Sequence, residues 1–159
     1  ADCSGGAILI PQGARAELRG STLTGCHVFS YGGAANGGGV FNDGGGLLVA
    51  DSLIEDCHTR SLTGAKAKSG GGLFLNNLFL NNKAEASIVN SAIKRCSAEE
   101  SGGGLWVEKS HVSIAGTAIA HCAAGKLGGA MTVYSGSAEF RSGTATDNIA
   151  AWSGGFVHA

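Results

Sequence analysis

The sequence predicts an all-β solenoid, a right-handed parallel β-helix of about five rungs with three short strands each. Three observations point there. Glycine clusters recur along the chain at a near-regular spacing. A second marker, usually cysteine, follows each cluster at an almost fixed distance. Between the two, apolar residues alternate in short runs with the period of a strand.

The clusters are GGA at 5–7, GGG at 37–39, 70–72 and 102–104, GGA at 128–130 and GG at 154–155. Their first glycines are 32, 33, 32, 26 and 26 residues apart. The markers Cys26, Cys57, Cys96, Cys122 and Asn148 follow them by 21, 20, 26, 20 and 20 residues. From marker to next cluster the steps are 11, 13, 6, 6 and 6. The basic unit is therefore 26 residues, 20 plus 6, and the three early units carry insertions at separate places. A repeat of this kind cannot bury its inner face alone, so units must stack, about 4.8 Å apart if they pair as strands.

The fourth unit, GGGLWVEKSHVSIAGTAIAHCAAGKL, shows each strand in turn. Gly103, Leu105 and Val107 alternate on one face, Val112 and Ile114 form a second pair, and Ile119 and Cys122 mark a third segment. The same offsets give Ala16, Leu18, Leu23 and Cys26 in the first unit, and Leu47, Val49, Ile54 and Cys57 in the second. The third gives Ala86, Ile88, Ile93 and Cys96, and the fifth Ala138, Phe140, Ala145 and Asn148. These positions should form the inward ladders. The glycines belong at a corner that needs unusual φ or has no room for a side chain. No unit keeps a 3.6-residue period, which excludes helical repeats. The preference of parallel crossovers favours the right hand, as does the family resemblance described below.

One stretch breaks the pattern. LFLNN occurs at 73–77 and again at 78–82. The first copy fits the regular strand, with Leu73 and Leu75 inward and Phe74 outward. The second reads as an insertion within one rung. Its Leu78, Phe79 and Leu80 are expected to leave the corner, either covering the outer face beside them or standing away to make a cleft.

Composition narrows the function. Glycine is 28 of 159 residues, charged residues are 14 % and the net charge is −1. No Lys/Arg block exists, so nucleic acid has no electrostatic foothold. No apolar run is long enough to span a bilayer as a helix. The first residues lack the basic and long apolar regions of a signal peptide. No phosphate loop, G-x-S-x-G or H-E-x-x-H occurs, and neither a cofactor nor a metal is expected. Residues 1–159 read as a single domain, expected to be a segment of a longer solenoid or to be capped end to end by further rungs or another chain.

The motifs GGAI at 5–8, GGGL at 70–73 and 102–105, and GGAM at 128–131 resemble the GGA-[ILV] repeats of the polymorphic outer membrane proteins of chlamydiae. Similar β-helices occur in pectate-lyase-like surface proteins. The second motif of the chlamydial family, F-x-x-N, is replaced here by Leu23-x-x-Cys26, Ile54-x-x-Cys57, Ile93-x-x-Cys96 and Ile119-x-x-Cys122, and Ala145-x-x-Asn148 alone keeps the Asn. The resemblance implies a secreted or cell-surface module, adhesive or structural.

Three columns of residues are candidates for function. On the outer side of the first strand stand Leu9, Phe41, Phe74, Trp106, Thr132 and His158. Leu9, Phe41, Phe74 and Trp106 make a contiguous apolar ladder, a face for a protein or for sugar rings unless a loop covers it. The cysteines Cys26, Cys57, Cys96 and Cys122 stack either as buried thiols or as a ladder of disulfides such as Cys26–Cys57 and Cys96–Cys122. A linear stack does not make a metal tetrahedron, and Cys3 lies off it. The column before the marker holds Gly25, Asp56, Arg95, His121 and Asp147, whose alternating charges suit cross-strand pairing. If the chain is an enzyme, a polysaccharide lyase, hydrolase or epimerase, Asp56, Arg95 and His121 are its catalytic residues. The pairs Thr22/Thr24 and Thr144/Thr146 are too interrupted for a flat ice-binding array. The reading is a non-enzymatic structural or binding module of an extracellular, surface or multi-subunit assembly, taking a protein or carbohydrate on its outer aromatic face.

Overall fold

The computed structural model describes residues 3–31, 33–61, 68–77 and 85–159, with Cys3, Ser4 and Lys68 described by backbone alone. Among the described residues there is no helix, and every strand pairs in parallel with the equivalent strand of the neighbouring rungs. The chain is a parallel β-helix.

The first sheet starts after each glycine corner and stacks Ile8–Ile10, Val40–Asp43, Leu73–Asn76, Leu105–Glu108, Met131–Tyr134 and Val157–His158. The second stacks Arg15–Arg19, Gly46–Ala50, Glu85–Val89, His111–Ala115 and Ser137–Arg141. The third stacks Thr22–Thr24, Leu53–Glu55, Ala92–Lys94, Ala118–Ala120 and Thr144–Thr146. The inward ladders fall where the 26-residue period puts them. Ala16, Leu47, Ala86, Val112 and Ala138 are in register, as are Leu18, Val49, Ile88, Ile114 and Phe140. Leu23, Ile54, Ile93, Ile119 and Ala145 form the third ladder. Their central members are fully buried, so the core is a stack of aliphatic side chains running along the axis.

Each rung carries a fourth strand that the period did not show. It follows the marker directly: His27–Ser30, His58–Ser61, Ser97–Ala98, Ala123–Ala124 and Ile149–Ala150. In the later rungs it is two residues of Ser, Ala or Ile, too short for alternation to register. A fifth, three-stranded sheet of Cys3–Ser4, Ala35–Asn36 and Lys68–Ser69 precedes the early glycine corners.

The glycine corner has two separate requirements. The first glycine of each cluster has φ between 60° and 71°, a left-handed conformation that costs other L-residues about 1–2 kcal/mol. The second is barred from a side chain by space. A Cβ on Gly71 would run into the carbonyls of Gly103 and Ser97, and one on Gly103 into those of Gly129 and Ala123. Here the backbone of the corner lies directly against the next rung and against the fourth strand. At the third glycine a Cβ would again meet the next rung and also its own rung's core: on Gly104 it would sit 2.7 Å from Ala130 O, 3.2 Å from Ile119 and 3.3 Å from the Cys122 sulfur. The fifth unit has Ala130 at this position, and there the facing residues are Ala145 and Asn148.

A hydroxyl ladder fixes the corner between the second and third sheets. Ser52 Oγ donates to Ala50 O (2.7 Å) and accepts from the N–H of Ser21 (3.1 Å). Ser91 repeats this with Val89 O and Ser52 N, and Thr117 with Ala115 O and Ser91 N. Each side chain thus satisfies a backbone donor that the turn would leave bare.

The doubled LFLNN is an insertion in a single rung. Leu73–Asn76 pairs with the rungs on both sides, and so does Glu85–Val89. Between them lie eight residues where the next rung, from Glu108 to His111, has two. Leu78, Phe79 and Leu80 themselves lie outside the described residues.

Two substitutions separate space from conformation. Gly103→Ala should destabilise the protein by about 3 kcal/mol, the upper range for overpacking. Gly46→Ala, where a Cβ would meet only the Arg15 side chain at 3.6 Å, should be neutral or stabilising by up to about 1 kcal/mol. Chemical unfolding of the two variants beside the parent measures both.

Candidate binding faces

The outer ladder of the first sheet exists in the expected register, Leu9–Phe41–Phe74–Trp106–Thr132–His158. Phe41 and Phe74 stack at 5.2 Å between ring centroids, and Phe74 and Trp106 at 6.1 Å. Its members differ in access. Phe41 and Phe74 are only 9 % and 6 % exposed, whereas Leu9 is 57 % exposed and Trp106 is half-buried. Only the two ends of the ladder can therefore meet a ligand.

Past Trp106 the stack changes column. Thr132, next in register, is buried and donates its hydroxyl to Leu127 O at 3.0 Å. Tyr134 continues the stack instead, 6.2 Å from Trp106 and 57 % exposed. It belongs to the neighbouring outward column, Asp43, Asn76, Glu108 and Tyr134. This column lines the aromatic one with polar groups. Trp106 Nε1 donates to Glu108 Oε2 (3.3 Å), and Asn76 Nδ2 donates to Asp43 Oδ1 (3.2 Å). Asn76 Oδ1 is buried without a hydrogen-bond partner. Following one column per strand missed Tyr134. The signal was present, since positions two apart on a strand share a face.

The marker column is a stack of four free thiols, with Cys57, Cys96 and Cys122 buried and Cys26 half-buried. Each sulfur donates to the carbonyl two residues back, at 3.3 Å for Cys57 and Cys96. Burial, reinforced by the Cys57 sulfur, pushes the Cys26 thiol up to about 11. Contacts with the Cys122 and Cys57 sulfurs, together with burial, hold Cys96 well above the usual thiol range. Asn148 ends the column by holding the preceding rung. Its Oδ1 accepts from Cys122 N (2.9 Å) and its Nδ2 donates to Ile119 O (2.8 Å).

The charged column turns out to be a corner. Gly25, Asp56, Arg95, His121 and Asp147 all have φ between 51° and 63°. Arg95 clasps both oxygens of Asp56, at 3.0 and 3.2 Å, and also contacts Glu55 at 2.8 Å. The Arg95 hydrogen bonds hold the Asp56 carboxyl below its ordinary range. His121 lies 3.7 Å from Asp147. Asp56, Arg95 and His121 thus occupy successive rungs, but the guanidinium is already committed to carboxylates, and none of the three lines either of the hollows described below.

Two shallow hollows lie elsewhere. One, of about 520 Å³, crosses the outer side of the second sheet between Arg15 and Glu139, over Leu48, Ser87 and Ser113. At its margin His111 Nδ1 is 2.7 Å from Ser137 Oγ. The other, of about 540 Å³, crosses the fourth sheet over His27, His58, Arg60 and Ser97. The second hollow was not legible before the fourth strand was known. Among the described residues, no three His, Cys, Asp or Glu side chains are grouped to hold a metal, and no helix is long and apolar enough to cross a membrane.

Compared with family models, with curated proteins and with solved structures, the chain gives no match.

Two measurements check these assignments. A carboxyl whose pKa is depressed by folding stabilises the fold above the unfolded value, 3.8 for Asp56, and that stabilisation is lost as pH falls through the folded value. Arg95→Gln should therefore be less stable than the parent near neutrality, with the gap closing below pH 3.8. Thiol labelling of the native protein should spare Cys57, Cys96 and Cys122 until it unfolds, and modify Cys26 slowly.

Proposed function

We propose that the chain is a non-enzymatic binding module of a secreted or surface assembly, and that it takes carbohydrate on the open end of its aromatic ladder. The observation that carries this is the Trp106–Tyr134 stack with Glu108 bonded to the indole beside it. Sugar rings present an apolar face to stack on aromatic rings and a rim of hydroxyls to bond. A half-buried tryptophan stacked with an exposed tyrosine and edged by a carboxylate answers both needs. The pair is backed by Phe74, so its geometry is set before any ligand arrives, which lowers the entropic cost of binding. The GGA-[ILV] resemblance supports a surface location. An enzyme acting through Asp56, Arg95 and His121 is the weaker reading, because Arg95 is neutralised by Asp56 and Glu55.

Glycan-array binding followed by titration tests this. Trp106→Ala should weaken the bound glycan by about tenfold or more, equivalent to about 1.4 kcal/mol. Trp152→Ala, which removes the exposed tryptophan beside Lys126, should leave affinity unchanged. Undiminished binding by Trp106→Ala would overturn the assignment.

A further inference from the structure

We propose that the outer face of the fourth sheet is a second binding site, selective for acidic polysaccharide and built on Arg60 and the stacked His27–His58 pair. The chain has five arginines. Arg15 and Arg19 pair with Glu17, Arg95 with Asp56 and Glu55, and Arg141 with Glu139. Arg60 alone has no ion-pair partner among the described residues, and it is exposed. It borders the hollow of about 540 Å³. A guanidinium left free over a concave surface presents a planar fork of donors, the geometry that takes a carboxylate or sulfate by two hydrogen bonds.

The surrounding groups fit an acidic sugar rather than a bare ion. His27 and His58 are in register on adjacent rungs with ring centroids 4.9 Å apart, and Phe29 stacks on His27 at 5.8 Å. Phe29 is 48 % exposed, so an aromatic surface adjoins the cation. On the next rung the Ser97 hydroxyl lies 2.7 Å from His58 Nδ1, which fixes the ring. The hollow spans three successive rungs, His27, His58 and Ser97. This suits an extended chain lying across the strands.

The site should respond to pH. Burial and then the neighbouring His27 hold the His58 imidazole below its ordinary value, while Asp56 at the preceding corner draws it up. Of the acids nearby, Glu99 lines the same hollow and accepts the Ser61 N–H at 2.7 Å, and Glu100 is paired with Lys126. A ligand anion supplies the negative charge that a protonated His58 lacks. Binding therefore takes up protons, and affinity rises as pH falls below 6.5, the unshifted imidazole value.

Heparin, polygalacturonate, neutral dextran and poly-glutamate, titrated into the protein at about pH 5.5 and about pH 7.5, test the proposal across the imidazole range. Heparin and polygalacturonate separate sulfate from carboxylate as the recognised group. At least one of them should bind about tenfold more tightly at the lower pH. Arg60→Gln should abolish that binding, His58→Gln should flatten its pH dependence, and Trp106→Ala should leave it intact. The last outcome keeps this site separate from the aromatic ladder. Equal affinity in Arg60→Gln, equal affinity for dextran, or poly-glutamate binding as tight as the polysaccharides would each overturn the assignment. Circular dichroism of Arg60→Gln establishes that a loss is not unfolding.

Discussion

At the glycine corner the backbone of one rung touches the backbone of the next and of the fourth strand, with no side chain between them. Everything else in the solenoid is aligned from that contact. The N–H of Gly71 reaches Gly102 O and that of Gly103 reaches Gly128 O, at 3.0 and 3.1 Å. Because no other residue fits, the corner cannot slip by one position, and a one-residue slip would turn every inward side chain outward. The register of the aliphatic ladders, of the hydroxyl ladder and of the thiol column follows from this pin. Insertions are tolerated because they leave at corners, where the paired strands on either side keep their partners.

Stacking also explains why the faces consist of ladders. A parallel β-helix places like positions above one another at the strand spacing, so each outward column repeats one environment. The result is aromatic rings on rings, imidazole on imidazole, and acid beside base. Such columns satisfy themselves internally, as the Arg95 cluster does. The places open to ligands are where a column fails to complete. The stack moves sideways from Trp106 to Tyr134 because Thr132 is buried. Arg60, beside Phe29 in its column, has no ion pair among the described residues.

The inward half of the structure was legible because burial selects residue type at every rung. Leu105, Val107, Val112, Ile114 and Ile119 could be assigned from one unit and transferred to the others. The fourth strand was not, since two-residue strands such as Ala123–Ala124 carry no alternation. The left-handed corners were half legible: glycine marks them in some rungs, but Asp56, Arg95, His121 and Asp147 occupy the same conformation and read as a charged column instead. Outward positions were predicted correctly in register and only partly in access, because Phe41 and Phe74 face outward and are nevertheless buried.

By itself, then, the sequence determined the period, the inward ladders, the glycine corners and the place of the extra LFLNN. These depend on constraints that act locally and recur in each unit. Tertiary structure decided which outward residues are reachable and which ionised groups are already paired. Exposure and pairing are set by neighbours in other rungs, and no repeat unit carries that information within its own residues.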